Sequence, residues 1–103
     1  MTGFRIKKAA DEDIETIMQY LISQDAFSYF LELMDKLEKN YNRLKIFPLS
    51  GTKVNSARFK NFRWILVDKY YVFYTYRDNT VSIETILHTA RNYKKVLEKV
   101  LPE

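Results

Sequence analysis

The sequence predicts an α+β fold, an antiparallel twisted sheet packed by a helical hairpin, in the order strand-helix-helix-strand-strand-strand-helix. Three observations carry that expectation. Apolar residues recur with helical spacing through the first half of the chain, and they alternate with period two from Phe62 to His88. Only two Gly and two Pro interrupt the 103 residues, which leaves room for short loops and little else. A chain of this length is the usual size of one domain, so a single domain over residues 1–103 is expected.

Phe4 and Ile6 alternate with Arg5 and Lys7, the mark of a short half-buried strand. Asp11, Glu12 and Asp13 then suit the positive end of a helix. Ile14, Ile17, Met18, Leu21 and Ile22 form one apolar stripe on a helix over roughly residues 9–23. Asp25 is the expected N-cap of a second helix, whose stripe runs through Ala26, Phe30, Leu33, Leu37, Tyr41 and Leu44 to about Lys45. So short a connection makes the two helices antiparallel neighbours. Pro48 and Gly51 end the helical region, and Thr52 to Ala57 read as a loop.

In the strand that follows, Phe62, Trp64 and Leu66 face one way and Arg63, Ile65 and Val67 the other. Asp68-Lys69 makes a tight turn into Tyr70 to Tyr76, where Tyr70, Val72, Tyr74 and Tyr76 alternate with Tyr71, Phe73 and Thr75. Arg77-Asp78-Asn79-Thr80 is a second hairpin turn with residues that tolerate positive φ. Strict alternation then sets Val81, Ile83, Thr85 and Leu87 against Ser82, Glu84, Ile86 and His88. Tyr93, Val96, Leu97, Val100 and Leu101 return to helical period, with Lys94, Lys95 and Lys99 on the other side.

Composition excludes several classes of function. Without Cys there is no disulfide, thiolate metal site or thiol nucleophile, and one His does not make a His-rich zinc site, so no metal and no cofactor is expected. No Gly-rich phosphate loop or paired carboxylates can be named. The longest apolar run falls far short of the roughly 20 residues that span a bilayer, and the first residues lack a secretion signal; a cytoplasmic protein with no membrane partner is expected. A net charge of +4 and a pI near 9.3 suit nucleic acid or an acidic protein as partner, or simply solubility.

What chemistry remains is basic and aromatic: Arg58, Lys60, Arg63, Arg77, His88, Arg91 and Tyr93. Metal-free RNA cleavage needs a base for the 2′-hydroxyl, cations for the phosphorane and an acid for the leaving oxygen. Arg63 and Arg91 could clamp phosphate, His88 serve as acid or base, and Tyr93 stack or relay a proton, provided that they converge. Each has a structural alternative. Arg63 could be a cross-strand partner, His88 a hydrogen-bonded strand end, Tyr93 a core residue and Arg91 a helix cap.

The chain resembles the RelE/ParE superfamily, the toxins of bacterial type II toxin–antitoxin (plasmid-stabilisation) modules. The likeness is carried by Asp11-Glu12-Asp13-Ile14, by Leu44-Lys45-Ile46-Phe47-Pro48-Leu49-Ser50-Gly51, by Arg63 to Val67 and Tyr70 to Tyr74, and by Ile86 to Tyr93. It implies a sheet packed by a helical hairpin, a cognate antitoxin that is acidic outside its DNA-binding part, and an assembly with it such as a heterotetramer. The resemblance implies one of two activities. RelE-like members cut messenger RNA on the ribosome, and ParE-like members inhibit DNA gyrase. Where RelE-like nucleases carry strand lysines and an arginine, this chain has Arg63, Ile65 and Tyr71. Arg63, His88, Arg91 and Tyr93 alone remain as catalytic candidates, should it be a nuclease. The His-x-Ala-Arg-x-Tyr ending and the long hairpin resemble the ParE side, so a gyrase-directed toxin is expected, with a ribosome-dependent endonuclease and an inactive antitoxin-binding relative as the alternatives.

Overall fold

The computed structural model describes residues 2–100, with side chains through Glu98. Leu101, and the side chains of Lys99 and Val100, to which the last stripe was expected to continue, lie outside what is described. The elements are β1 (Gly3–Ile6), α1 (Lys8–Ser23), α2 (Phe27–Ile46), β2 (Thr52–Lys53), β3 (Phe62–Val67), β4 (Tyr70–Arg77), β5 (Thr80–His88) and α3 (Tyr93–Val100). One five-stranded sheet has the order β1-β5-β4-β3-β2.

The α+β sheet covered by a helical hairpin is as the periodicity indicated, but the sheet is mixed. β1 runs parallel to β5, Phe4 beside Val81 and Ile6 beside Ile83, while the other pairs are antiparallel. Phe4 is half-buried as the alternation indicates, but Ile6 is exposed, and alternation says nothing about direction, because both pairings have period two. Thr52–Lys53, expected as loop, adds an edge strand against β3. Two residues are too few for any pattern to show.

The helical hairpin closes differently from expectation as well. Asp25 does not cap α2. Its φ of 55° is left-handed, and its N–H bonds Ile22 O at 3.0 Å while Ala26 N–H bonds Leu21 O at 2.8 Å. Asp25 therefore terminates α1, in a conformation that a short polar side chain tolerates. Ala26 takes the N-cap position of α2 with no side-chain cap. The two hairpin turns do use positive φ, at Asp68 and at both Asp78 and Asn79.

Helices cover the two sheet faces unequally. On the hairpin face, Ala10 of α1 and Leu33, Leu37 and Leu44 of α2 pack on Val72, Tyr74, Val81, Ile83 and Ile86. On the opposite face, Phe73 and Leu87 pack with Val54, Phe59 and Leu97 of α3, ringed by Phe62, Trp64, Tyr71 and Tyr93. β5 breaks its own alternation to serve both. Phe73 pairs with Thr85 and Tyr74 with Ile83, so Glu84 is an extra residue, a β-bulge. Strict alternation would have placed Ile86 opposite Ile83; the bulge returns both to the hairpin face and sends Leu87 to the other.

Tyr74 ties the chain after α2 to the sheet. Its buried hydroxyl donates to Pro48 O at 2.8 Å and accepts from Gly51 N–H at 2.9 Å. Gly51 must be glycine for this contact, since a Cβ there would lie 2.6 Å from the Tyr74 ring and hydroxyl. Tyr74→Phe leaves a buried N–H and C=O unpaired and is expected to cost about 1–3 kcal/mol. Urea unfolding should show the midpoint falling with the slope unchanged.

Candidate functional site

The end of β5 and the turn after it hold the basic and aromatic residues that the sequence singles out. His88 lies opposite Tyr70 in register, and its ring meets the Tyr70 ring edge-on at 5.3 Å. Its Nδ1 accepts from Ala90 N–H at 3.0 Å, and Arg91 N–H closes the turn on His88 O at 3.0 Å. That turn brings His88 and Arg91 to one cleft of about 650 Å³, whose walls include Ile17, Tyr20 and Leu21 of α1, with Tyr29, Lys69, Tyr70 and Ile86.

Asp13 lines the same cleft, and sequence reasoning assigned it only to the helix start. Its Oδ2 accepts from Thr85 Oγ1 at 2.5 Å and from Ile86 N–H at 2.9 Å. The carboxylate thus satisfies the Ile86 N–H on the part of β5 that runs past its pairing with β1, which ends at Ile83. Burial pushes Asp13 above its ordinary value of 3.8, against the two hydrogen bonds and the charge of Arg91, which favour the ionised form. Burial likewise raises Tyr70. Tyr29 is raised by burial and by its hydrogen bond to Asp68, whose carboxylate Lys36 also approaches at 3.9 Å.

Arg63 and Tyr93 stand elsewhere. Arg63 pairs with Tyr74 and donates through Nη1 to Leu49 O at 3.1 Å and Gly51 O at 2.9 Å, so its guanidinium braces the chain between α2 and β2. Tyr93 belongs to the opposite face, its ring 5.3 Å from Tyr71 and 5.4 Å from Phe73. Of the other basic residues, Arg58 lies over the Phe59 ring at 5.2 Å and Lys60 is exposed. Arg77 lines a second cleft, with Arg5 and Lys7. One cleft therefore gathers His88, Arg91 and a half-buried carboxylate, without Arg63 or Tyr93. Among the described residues no three His, Asp or Glu side chains converge as metal ligands would. None of the helices among the described residues is long and apolar enough to cross a membrane.

Asp13 and Tyr70 could not be assigned to this cleft from sequence. Asp13 meets β5 across 72 residues of chain, and Tyr70 belongs by period to the core face that it also serves.

Comparison with known proteins gives two findings. Residues 4–93 match the family model for the ParE toxin of the type II toxin–antitoxin system parDE. A chain in the solved structure of the chromosomal ParDE toxin–antitoxin system from P. aeruginosa superposes with a TM-score of 0.71 at 12% identity, over 85% of this chain and 96% of that one. At that identity the likeness is one of fold. No curated protein sequence matches the chain.

The raised pKa of Asp13 has a definite sign in folding. A carboxyl whose folded pKa lies above its unfolded one contributes most while protonated, and the contribution is lost as pH rises through the folded value. Relative to Asp13→Asn, which keeps an acceptor but cannot titrate, the native chain is expected to lose stability as pH rises from below 3.8 through the raised value. Urea midpoints of the two proteins across pH measure this; parallel curves would exclude it.

Proposed function

The chain belongs to the ParE toxin family of type II toxin–antitoxin systems, and from that premise we propose that it arrests bacterial growth by acting on DNA gyrase and is neutralised by a cognate antitoxin. The family match over residues 4–93 carries this reading. Geometry supports it from the other side. Metal-free RNA cleavage asks for a base, an acid and several cations at one place, and each missing charge costs a few kcal/mol of transition-state stabilisation. Arg63 turns its Nη1 to Leu49 O and Gly51 O, and Tyr93 is held in an aromatic cluster on the other face. The specific observation in favour of a ribosome-dependent mRNA endonuclease is that His88 and Arg91 share a cleft.

The antitoxin has a surface to cover. Phe27, Leu31 and Met34 are exposed on α2 at i, i+4 and i+7, and Ile22 is exposed at the end of α1. That is the spacing by which an apolar helix is held. A basic toxin also suits an acidic partner.

Expression in bacteria without the antitoxin tests the target. Arrested thymidine incorporation with an SOS response and intact messages is the expected outcome, and co-expression of a cognate antitoxin should restore growth. An early translation block with cleaved messages would overturn the gyrase reading. His88→Ala should then discriminate further. Growth arrest is expected to persist, whereas removal of a general acid or base would cut a nuclease by about 10²–10⁴-fold.

A further inference from the structure

The second cleft, at the β1 end of the sheet face opposite the helical hairpin, plays no part in the function proposed above. It encloses about 710 Å³, within the range of small-molecule sites. Strand register builds its floor. Arg5 lies beside Ser82, Ser82 beside Thr75 and Thr75 beside Phe62, one row across four strands. Arg5 Nε donates to Ser82 Oγ at 2.8 Å. Its two Nη groups then have no acceptor among the described residues.

The next row holds a carboxylate that is already matched. Glu84, the bulge residue, is 5% exposed. Its Oε2 accepts from Thr75 Oγ1 at 2.9 Å and meets Lys7 Nζ at 3.1 Å. At the rim, Arg77 and Lys8 line the cleft, and neither side chain has an ion-pair or hydrogen-bond partner among the described residues. With Glu84 balanced by Lys7, three cations (Arg5, Lys8 and Arg77) face one remaining carboxylate, Asp78. The start of α1, which has no side-chain cap, adds the positive end of a helix to the same wall through Lys8 and Ala9. Phe62, half-buried and edge-on to Phe59 at 5.3 Å, provides an apolar wall.

We propose that this cleft binds a phosphate-bearing nucleotide, the phosphates held by Arg5, Lys8 and Arg77 and the base laid toward Phe62. Two guanidiniums and an ammonium around one concavity match an anion of two or more charges, and the arginine fork fits phosphate oxygens in pairs. An acidic peptide spreads its charges along an extended chain, roughly 3.3–3.6 Å per residue, and asks for a groove more than a pit. An aromatic wall next to an anion site is the arrangement that takes a planar base. The phosphate has two sources, a free nucleotide or the end of a nucleic-acid strand, and both present the same chemistry to these side chains. The inference is independent of gyrase, ribosome and antitoxin.

The test uses the purified full chain with ATP, pyrophosphate, a 5′-phosphorylated hexanucleotide and hexaglutamate as probes, followed by calorimetry and by amide NMR shifts. Saturable binding of a phosphate probe that weakens with salt is expected, with shifts centred on Lys8, Ala9, Thr80 and Ser82. Lys8→Gln and Arg77→Gln should each weaken it about fivefold, and the double variant by more than about tenfold. Lys39→Gln, which removes the same charge from the exposed side of α2, should leave it unchanged. Both cleft positions are exposed, so melting curves should confirm that the variants stay folded. Tighter binding of ATP or of the hexanucleotide identifies the source of the phosphate. The proposal falls if no phosphate probe saturates, if the shifts centre on Lys69 and His88, if the double variant binds as well as the native chain, or if hexaglutamate binds more tightly than every phosphate probe.

Discussion

One extra residue in β5 governs how the rest of the molecule is arranged. A strand buried on both faces must alternate, and β5 has helices to satisfy on each side of it. The bulge at Glu84 resets the alternation halfway along. Before it, Val81 and Ile83 serve the hairpin face; after it, Ile86 serves that same face and Leu87 the other. Just beyond the bulge β5 runs past its pairing with β1, which ends at Ile83, and an N–H orphaned there costs as much as a lost hydrogen bond. Asp13 meets that requirement from α1 by accepting from Ile86 N–H and from the neighbouring Thr85 hydroxyl. One carboxylate thereby docks α1 onto β5.

The same bulge explains why the candidate site reads differently in sequence and in space. With strict alternation, His88 would share a face with Leu87's predecessor Ile86, on the side away from Ile83. The reset places His88 against Tyr70 on the hairpin face, while Tyr93, five residues later, packs with Tyr71 and Phe73 on the other. Proximity in the chain suggests a cluster of His88, Arg91 and Tyr93. The strand divides it. Arg63 is removed by a different cause, because the two carbonyls it binds belong to a loop whose path is set by Tyr74 and Gly51.

Much of the fold was legible because burial writes a period into the sequence. The stripe of α2 predicted Phe30, Leu33, Leu37 and Leu44 as core, and all four are buried. The aromatic alternation of β4 sorted its two faces correctly. What was not legible lacks a period or depends on distant partners. The alternation of β1 fits either direction, Thr52–Lys53 is too short to alternate, and Asp25 suits the end of one helix as well as the start of the next. The bulge has no local signal at all, since Glu84 continues a good alternating pattern and only its pairing with β4 reveals it.

Charge shows the same division between what composition states and what topology decides. A net charge of +4 does not say where the cations lie, and the fold brings some of them to two clefts of different character. Around His88 and Arg91 the walls are largely apolar and aromatic, from Ile17, Leu21, Tyr70 and Ile86, with one carboxylate of the protein's own. Around Arg5, Lys8 and Arg77 the walls are hydroxyls and cations with Phe59 and Phe62 on one side, and the buried carboxylate is already paired. Glu84 and Asp13 are the acids at the centre of this arrangement, one on each side of the bulge. Glu84 points its charge to Lys7 on one face, and Asp13 meets the backbone at Ile86 on the other. Three consecutive residues of β5, Glu84, Thr85 and Ile86, therefore anchor Lys7 on one side and Asp13 of α1 on the other.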